Sequence, residues 1–133
     1  MGNFVYKIKP GDTLLIGSET SPRAIFTVDG MQAVESKEDL TTTGVGATDI
    51  LDPDIAISLV TTGGAHTVTL ANGSYDGQIK KVMMVATGGD MTLTPANFAD
   101  GTSMTFDAVM DSATLRWDGT NWALVAASAI AIV

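Results

Sequence analysis

Apolar and polar residues alternate along this chain in short runs of four to eight, and no stretch sustains a helical period with caps at both ends. The expectation is an all-β protein. In the first third, strands are predicted over 4–9, 13–17, 24–28 and 31–35, with Asp29-Gly30 as the turn between the last two. The segment "SKEDLTTTGVGATDILDPD", residues 36–54, then breaks the alternation with charges, glycines and Pro53, so it reads as a linker or long loop. That divides the chain into an N-terminal β arm or small β subdomain with its linker, 1–54, and a C-terminal β domain, 55–133.

The C-terminal domain carries an internal repeat. "VTTGGAHTVTLAN", residues 60–72, aligns without gaps to "VATGGDMTLTPAN", residues 85–97, with 8 of 13 positions identical at an offset of 25. Each unit reads as a strand, a "TGG" turn and a second strand, so two equivalent hairpins are expected. Thr67 and Thr69 share one face and His66, Val68 and Leu70 the other; Thr92 and Thr94 oppose Met91 and Leu93 in the same way. Two copies are too few for a solenoid, so the expected architecture is an antiparallel β sandwich or barrel-like domain, completed by its own strands or by symmetric copies. In the last hairpin, "DSATLRWDGTNWALVAAS", Trp117 and Trp122 fall on the same face whether the loop has two residues or four. The two indoles are expected to pack together as an aromatic pair.

Composition narrows the function classes. The length, 133 residues, suits one domain with an arm, and the absence of cysteine excludes disulfides and thiolate metal sites. A net charge of −8 repels a phosphate backbone, and the only adjacent basic pair is Lys80-Lys81, so nucleic acid is not an expected partner. The start of the chain shows no signal peptide, and Tyr6 stands where a myristoylation motif wants Ser or Thr. The longest apolar run, "WALVAASAIAIV", is too short to span a membrane. With a mean hydropathy of +0.25, the chain has more apolar surface than a small monomer covers, which points to contact with another chain.

Candidate chemistry is sparse. "VYKIKPGDTLLIG", residues 5–17, resembles the opening of a lysin motif, a sugar-binding module, but that module needs a helix next and Pro22 interrupts the run that follows; "KPGD" reads instead as a type II turn at Pro10-Gly11. His66 is the only histidine, and its parity with Val68 and Leu70 makes it a structural residue. Asp49, Asp52 and Asp54 cluster, but without the spacing of a calcium loop, and like Glu38-Asp39 they read as solvated. No helix follows "TGG" to cradle a phosphate. Neither a catalytic group, a cofactor nor a metal site is expected, and an exposed Trp117–Trp122 sugar platform is the weaker alternative to a core pair.

The ordered series "GSYDGQIKKVMMVATGGDMTLTPANFADGTSMTFDAVMDSATLRWDGTNWALV", residues 73–125, resembles a β module of tailed-bacteriophage, including cyanophage, virion structural proteins. Met110 stands where that module carries glycine before "DSATL". The resemblance implies a non-enzymatic capsid decoration (cement) protein: a homotrimer on the outer surface of the virion, assembled in the host cytoplasm and bound to the major capsid protein. Independently of the resemblance, the separate composition of the two halves and the loop between them suggest capsid contact through the N-terminal strand at Phe4, Val5, Tyr6 and Ile8, and the wholly apolar segment "AIAIV" suggests a trimer interface at Ile130, Ile132 and Val133. A head or tail fibre module binding host-surface carbohydrate is the alternative.

Overall fold

The computed structural model describes strand backbone at 14–18, 21–27 and 30–33, and the chain at 36–42 and 48–133. The expected strand over 4–9, the Pro10-Gly11 turn and the contact residues Phe4, Val5, Tyr6 and Ile8 lie outside the described residues. Two compact units are distinguished, Met1–Ser36 and Lys37–Val133. All regular structure among the described residues is β.

In the first unit β1 (Leu14–Ser18), β2 (Ser21–Thr27) and β3 (Gly30–Ala33) form an antiparallel meander, and Thr27 faces Gly30 across its second reversal. The β1/β2 register slips between Ile16 and Gly17, where Gly17 meets Pro22. A proline has no N–H to give the ladder, and an irregularity is where a sheet tolerates one.

The second unit contains β4 (Lys37–Thr42), β5 (Thr48–Leu51), β6 (Ile57–Thr62), β7 (His66–Leu70), β8 (Ile79–Thr87) and β9 (Met91–Pro95), then β10 (Met104–Phe106), β11 (Ser112–Trp117), β12 (Trp122–Ser128) and β13 (Ala131–Ile132). They form two five-stranded sheets, ordered β12-β11-β8-β6-β4 and β13-β10-β9-β7-β5. From β4 to β9 the chain alternates between the sheets, and each strand pairs in parallel with the one two places earlier. Three two-strand turns therefore stack on one another. From β10 onward the added strands are antiparallel.

This corrects the antiparallel sandwich expected from the sequence: both sheets are mixed. β6 and β7 lie in different sheets, so "TGG" is a corner between layers rather than a hairpin turn. The corners stack. Gly63 N–H donates to Thr42 O at 3.2 Å, Gly88 N–H to Thr62 O at 2.7 Å, and the Thr62 hydroxyl to Gly89 O at 2.6 Å. A Cβ on Gly89 would stand 2.4 Å from Ala65 N, so only glycine allows the corners to approach this closely. At the far end of the same turns, Asn97 Nδ2 donates to Asn72 Oδ1 at 3.0 Å.

Residues 36–54, expected as a linker, supply β4 and β5, the first of the three turns, and the unit boundary falls at Ser36/Lys37 instead of 54/55. β4 alternates despite its charges, with Lys37, Asp39 and Thr41 exposed and Glu38, Leu40 and Thr42 turned inward. Between the sheets lies one apolar core, with Val60, Met84 and Leu115 from one layer and Leu51, Leu93 and Phe106 from the other.

Candidate functional site

Lys80 sits on β8 in step with Val82 and Met84, which turns its side chain into the interior, where it is wholly buried. Its ammonium meets three acceptors: Glu38 Oε1 at 2.9 Å, Asp52 O at 2.7 Å and Ile55 O at 2.7 Å. Ser58 Oγ donates to the same Glu38 oxygen. Burial pushes the Lys80 pKa below the usual lysine value, and Glu38 opposes that shift. Three acceptors use all three N–H donors, so this ammonium has no direction left for a substrate. The cluster is a clamp that ties β4, β6 and β8 to the loop 52–56.

The same loop is held from a second side. Buried Gln78 donates to Pro53 O and to Asp54 Oδ1 (3.2 Å) and accepts from Ser74 N–H, while Ser74 Oγ donates to Asp54 Oδ1 at 2.7 Å. Asp49 lies elsewhere, its Oδ2 2.8 Å from His66 Nε2, and Asp52 Oδ1 accepts from Asp54 N–H. Of the three aspartates that cluster in sequence, Asp49 is thus used apart, whereas Asp52 and Asp54 are bonded to each other within the loop. Glu38 and Lys80 were the residues the sequence concealed: Glu38 reads as solvated and Lys80 only as half of an adjacent basic pair, although the parity of "IKKVMMV" already places Lys80 with the core residues.

Two other positions are shaped by the antiparallel end of the domain. Buried Asp111 accepts from the N–H groups of Asp107 and Ala108, both at 2.9 Å, and so closes the turn that holds Met110 at φ 76°. This is left-handed backbone, which a glycine adopts freely and a methionine adopts at a cost. Trp117 faces Trp122 across a four-residue loop, with ring centroids 5.4 Å apart and planes tilted by 58°. Both indoles are buried, and Trp122 Nε1 donates to Ala71 O at 2.9 Å, so neither offers a face to a sugar.

What remains unused is apolar surface. β13 is an edge strand, bonded to β10 on one side, with Val133 N–H donating to Ser103 O at 3.0 Å and Val133 O accepting from Thr102 N–H at 2.6 Å. Its backbone is fixed while Ile132 and Val133 stay 42% and 72% exposed; Ile130 packs against the core. The outer face of the same sheet is uncharged at its paired positions, with Thr67, Thr92 and Thr105 in one row and Thr69 and Thr94 in the next. At the β5 end of this face, Ile50, Thr69, Leu70, Ala71, Thr94 and Ala96 line a groove of about 330 Å³, and Ile50 is 68% exposed. No protein-family model matches the chain, and no curated protein matches it.

Proposed function

We propose that this chain is a non-catalytic virion protein that decorates and stabilises the outer surface of a tailed-phage capsid, bound non-covalently as a homotrimer. The observation that carries the reading is the β13 edge: its backbone is fixed, yet Ile132 and Val133 are left in water on a chain of net charge −8. An ordered apolar edge of this kind is suited to contact with another chain, since exposed apolar surface is what obligate interfaces remove from water. Two further features support it. The series over 73–125 resembles phage virion modules, and the buried polar side chains of the Lys80, Gln78 and Asp111 clusters are taken up in internal bonds.

In this reading the N-terminal segment with Phe4, Val5, Tyr6 and Ile8, for which the sequence predicts a strand, contacts the major capsid protein by adding to its sheet through main-chain hydrogen bonds. The copy number in purified particles tests the assignment: hundreds per particle are expected, and a handful would favour a fibre. Deleting residues 2–9 should abolish binding to undecorated shells and leave the β circular dichroism intact; unchanged binding refutes the N-terminal contact.

A further inference from the structure

We infer that the apolar β13 edge of one copy seats in the groove at the β5 end of the next, so that the homotrimer closes by a repeated edge-to-groove contact between unlike surfaces. This rests on the homotrimer reading above and names the surface that receives Ile132 and Val133.

The strand order β13-β10-β9-β7-β5 puts donor and acceptor at opposite edges of one sheet. Four strand spacings, about 19 Å in all, separate β13 from Ile50 on β5. β13 is bonded to β10 and Val133 to the 102–103 backbone, so a chain cannot fill its own groove. Another copy can.

The two surfaces match in chemistry. The groove is lined by Ile50, alanines, Leu70 and two threonines and holds no charged side chain, while the donor edge presents Ile132 and Val133. Electrostatics select the same pair. Copies of net charge −8 repel one another wherever acidic side chains meet, so self-association is least opposed across surfaces whose side chains are uncharged. Because the edge and the groove are different surfaces, the contact is heterologous. Such contacts either run on into a filament or close into a ring, and three copies close when each is turned by about 120° from the last. β5 is itself an edge strand, so the contact also shields an edge that would otherwise invite unregulated pairing.

The experiment uses the full chain and two variants, Ile50→Asp in the groove and Val133→Asp on the edge. Both positions are largely exposed, and circular dichroism checks the fold. Light scattering at micromolar concentration should show three chains for the natural sequence and one for each variant alone. Mixed in equal amounts, the variants should form a two-chain complex, because the intact edge of the first meets the intact groove of the second and closure is blocked. A second test exploits the lack of cysteine. An Ile50→Cys/Val133→Cys double variant treated with a short bis-maleimide should give covalent two- and three-chain species, and neither single variant should. A natural chain that is trimeric while the Asp variants also stay trimeric, or fail to combine when mixed, overturns this contact alone. A natural chain that is monomeric overturns the homotrimer and this contact together.

Discussion

Removing the carboxylate of Glu38 is the sharpest perturbation of the clamp. Glu38→Ala leaves the Lys80 ammonium, which has no exposed surface, with only the carbonyls of Asp52 and Ile55, and takes the acceptor away from Ser58 Oγ. Breaking a buried pair by deleting one partner typically costs about 3–5 kcal/mol. The retained carbonyls still accept two of the three N–H donors, and Glu38 is one-fifth exposed in the native chain, so the low end of about 3 kcal/mol is expected. Lys80→Met removes the buried charge and leaves Glu38 to Ser58 and water. The double variant Glu38→Ala/Lys80→Met should therefore lose less stability than the sum of the singles, by about 1.5 kcal/mol or more for two groups in direct contact.

Urea unfolding at fixed protein concentration measures all four chains, the fixed concentration being needed because an oligomer's stability depends on it. A pH series supplies an independent check. The folded pKa of Lys80 lies below the unfolded value of 10.5, so the cost of burying the charge is fully present below the folded value. Between the two values the unfolded chain holds a proton that the folded chain has released, so stability rises with pH relative to Lys80→Met. In Glu38→Ala the opposing influence of Glu38 is gone, and the rise should begin at lower pH. A Glu38→Ala variant within about 1 kcal/mol of the natural chain, or singles that add within about 0.5 kcal/mol, refutes the clamp.

Gly89→Ala should destabilise the second unit by about 1–3 kcal/mol in the same urea assay, because its Cβ would press on the Ala65 backbone; an unchanged midpoint would show that the corners give way freely. Met110→Gly should stabilise it by up to about 1 kcal/mol, since relief of left-handed strain worth about 1–2 kcal/mol exceeds the added freedom of the unfolded chain, and a loss of stability contradicts this. The Asp118 carboxylate accepts from the N–H groups of Asn121 and Thr120, which holds its pKa below the usual 3.8; its stabilisation is present above the unfolded value and lost as pH falls through the folded one. Carbon-detected NMR titration should place Asp118 below 3.8, and a value at or above it rejects the loop geometry.

The faces of the strands were legible in the sequence, but their partners were not. Alternation assigns Thr67 and Thr69 to one side of β7 and Val68 and Leu70 to the other, and it does so identically for a parallel or an antiparallel neighbour. "TGG" was equally indifferent, serving a hairpin turn or a corner between layers. β4 escaped notice because Lys37, Glu38 and Asp39 look like a solvated run, and the inward Glu38 makes sense only beside Lys80, which is far away in sequence. The edge that exposes Ile132 and Val133 was legible as an apolar segment, whereas the groove at Ile50 was not, since it draws on three strands from three separate turns.

One sequence feature did carry the missing direction. Thr62 and Thr87, and Asn72 and Asn97, are identical residues at an offset of 25. The strands pair at that same offset from Thr61↔Ala86 through Leu70↔Pro95. Two hairpins arranged antiparallel would bring unlike positions together and give no reason for equivalent ones to match. Parallel turns stacked in register bring each residue against its own counterpart. There a hydrogen-bonding group such as the asparagine amide, donor and acceptor at once, is satisfied by a copy of itself, as the Asn97–Asn72 bond illustrates. Self-pairing polar residues at equal steps are therefore a stronger sign of parallel stacking than the number of repeats, and two copies sufficed here because β4 and β5 added a third turn without the motif.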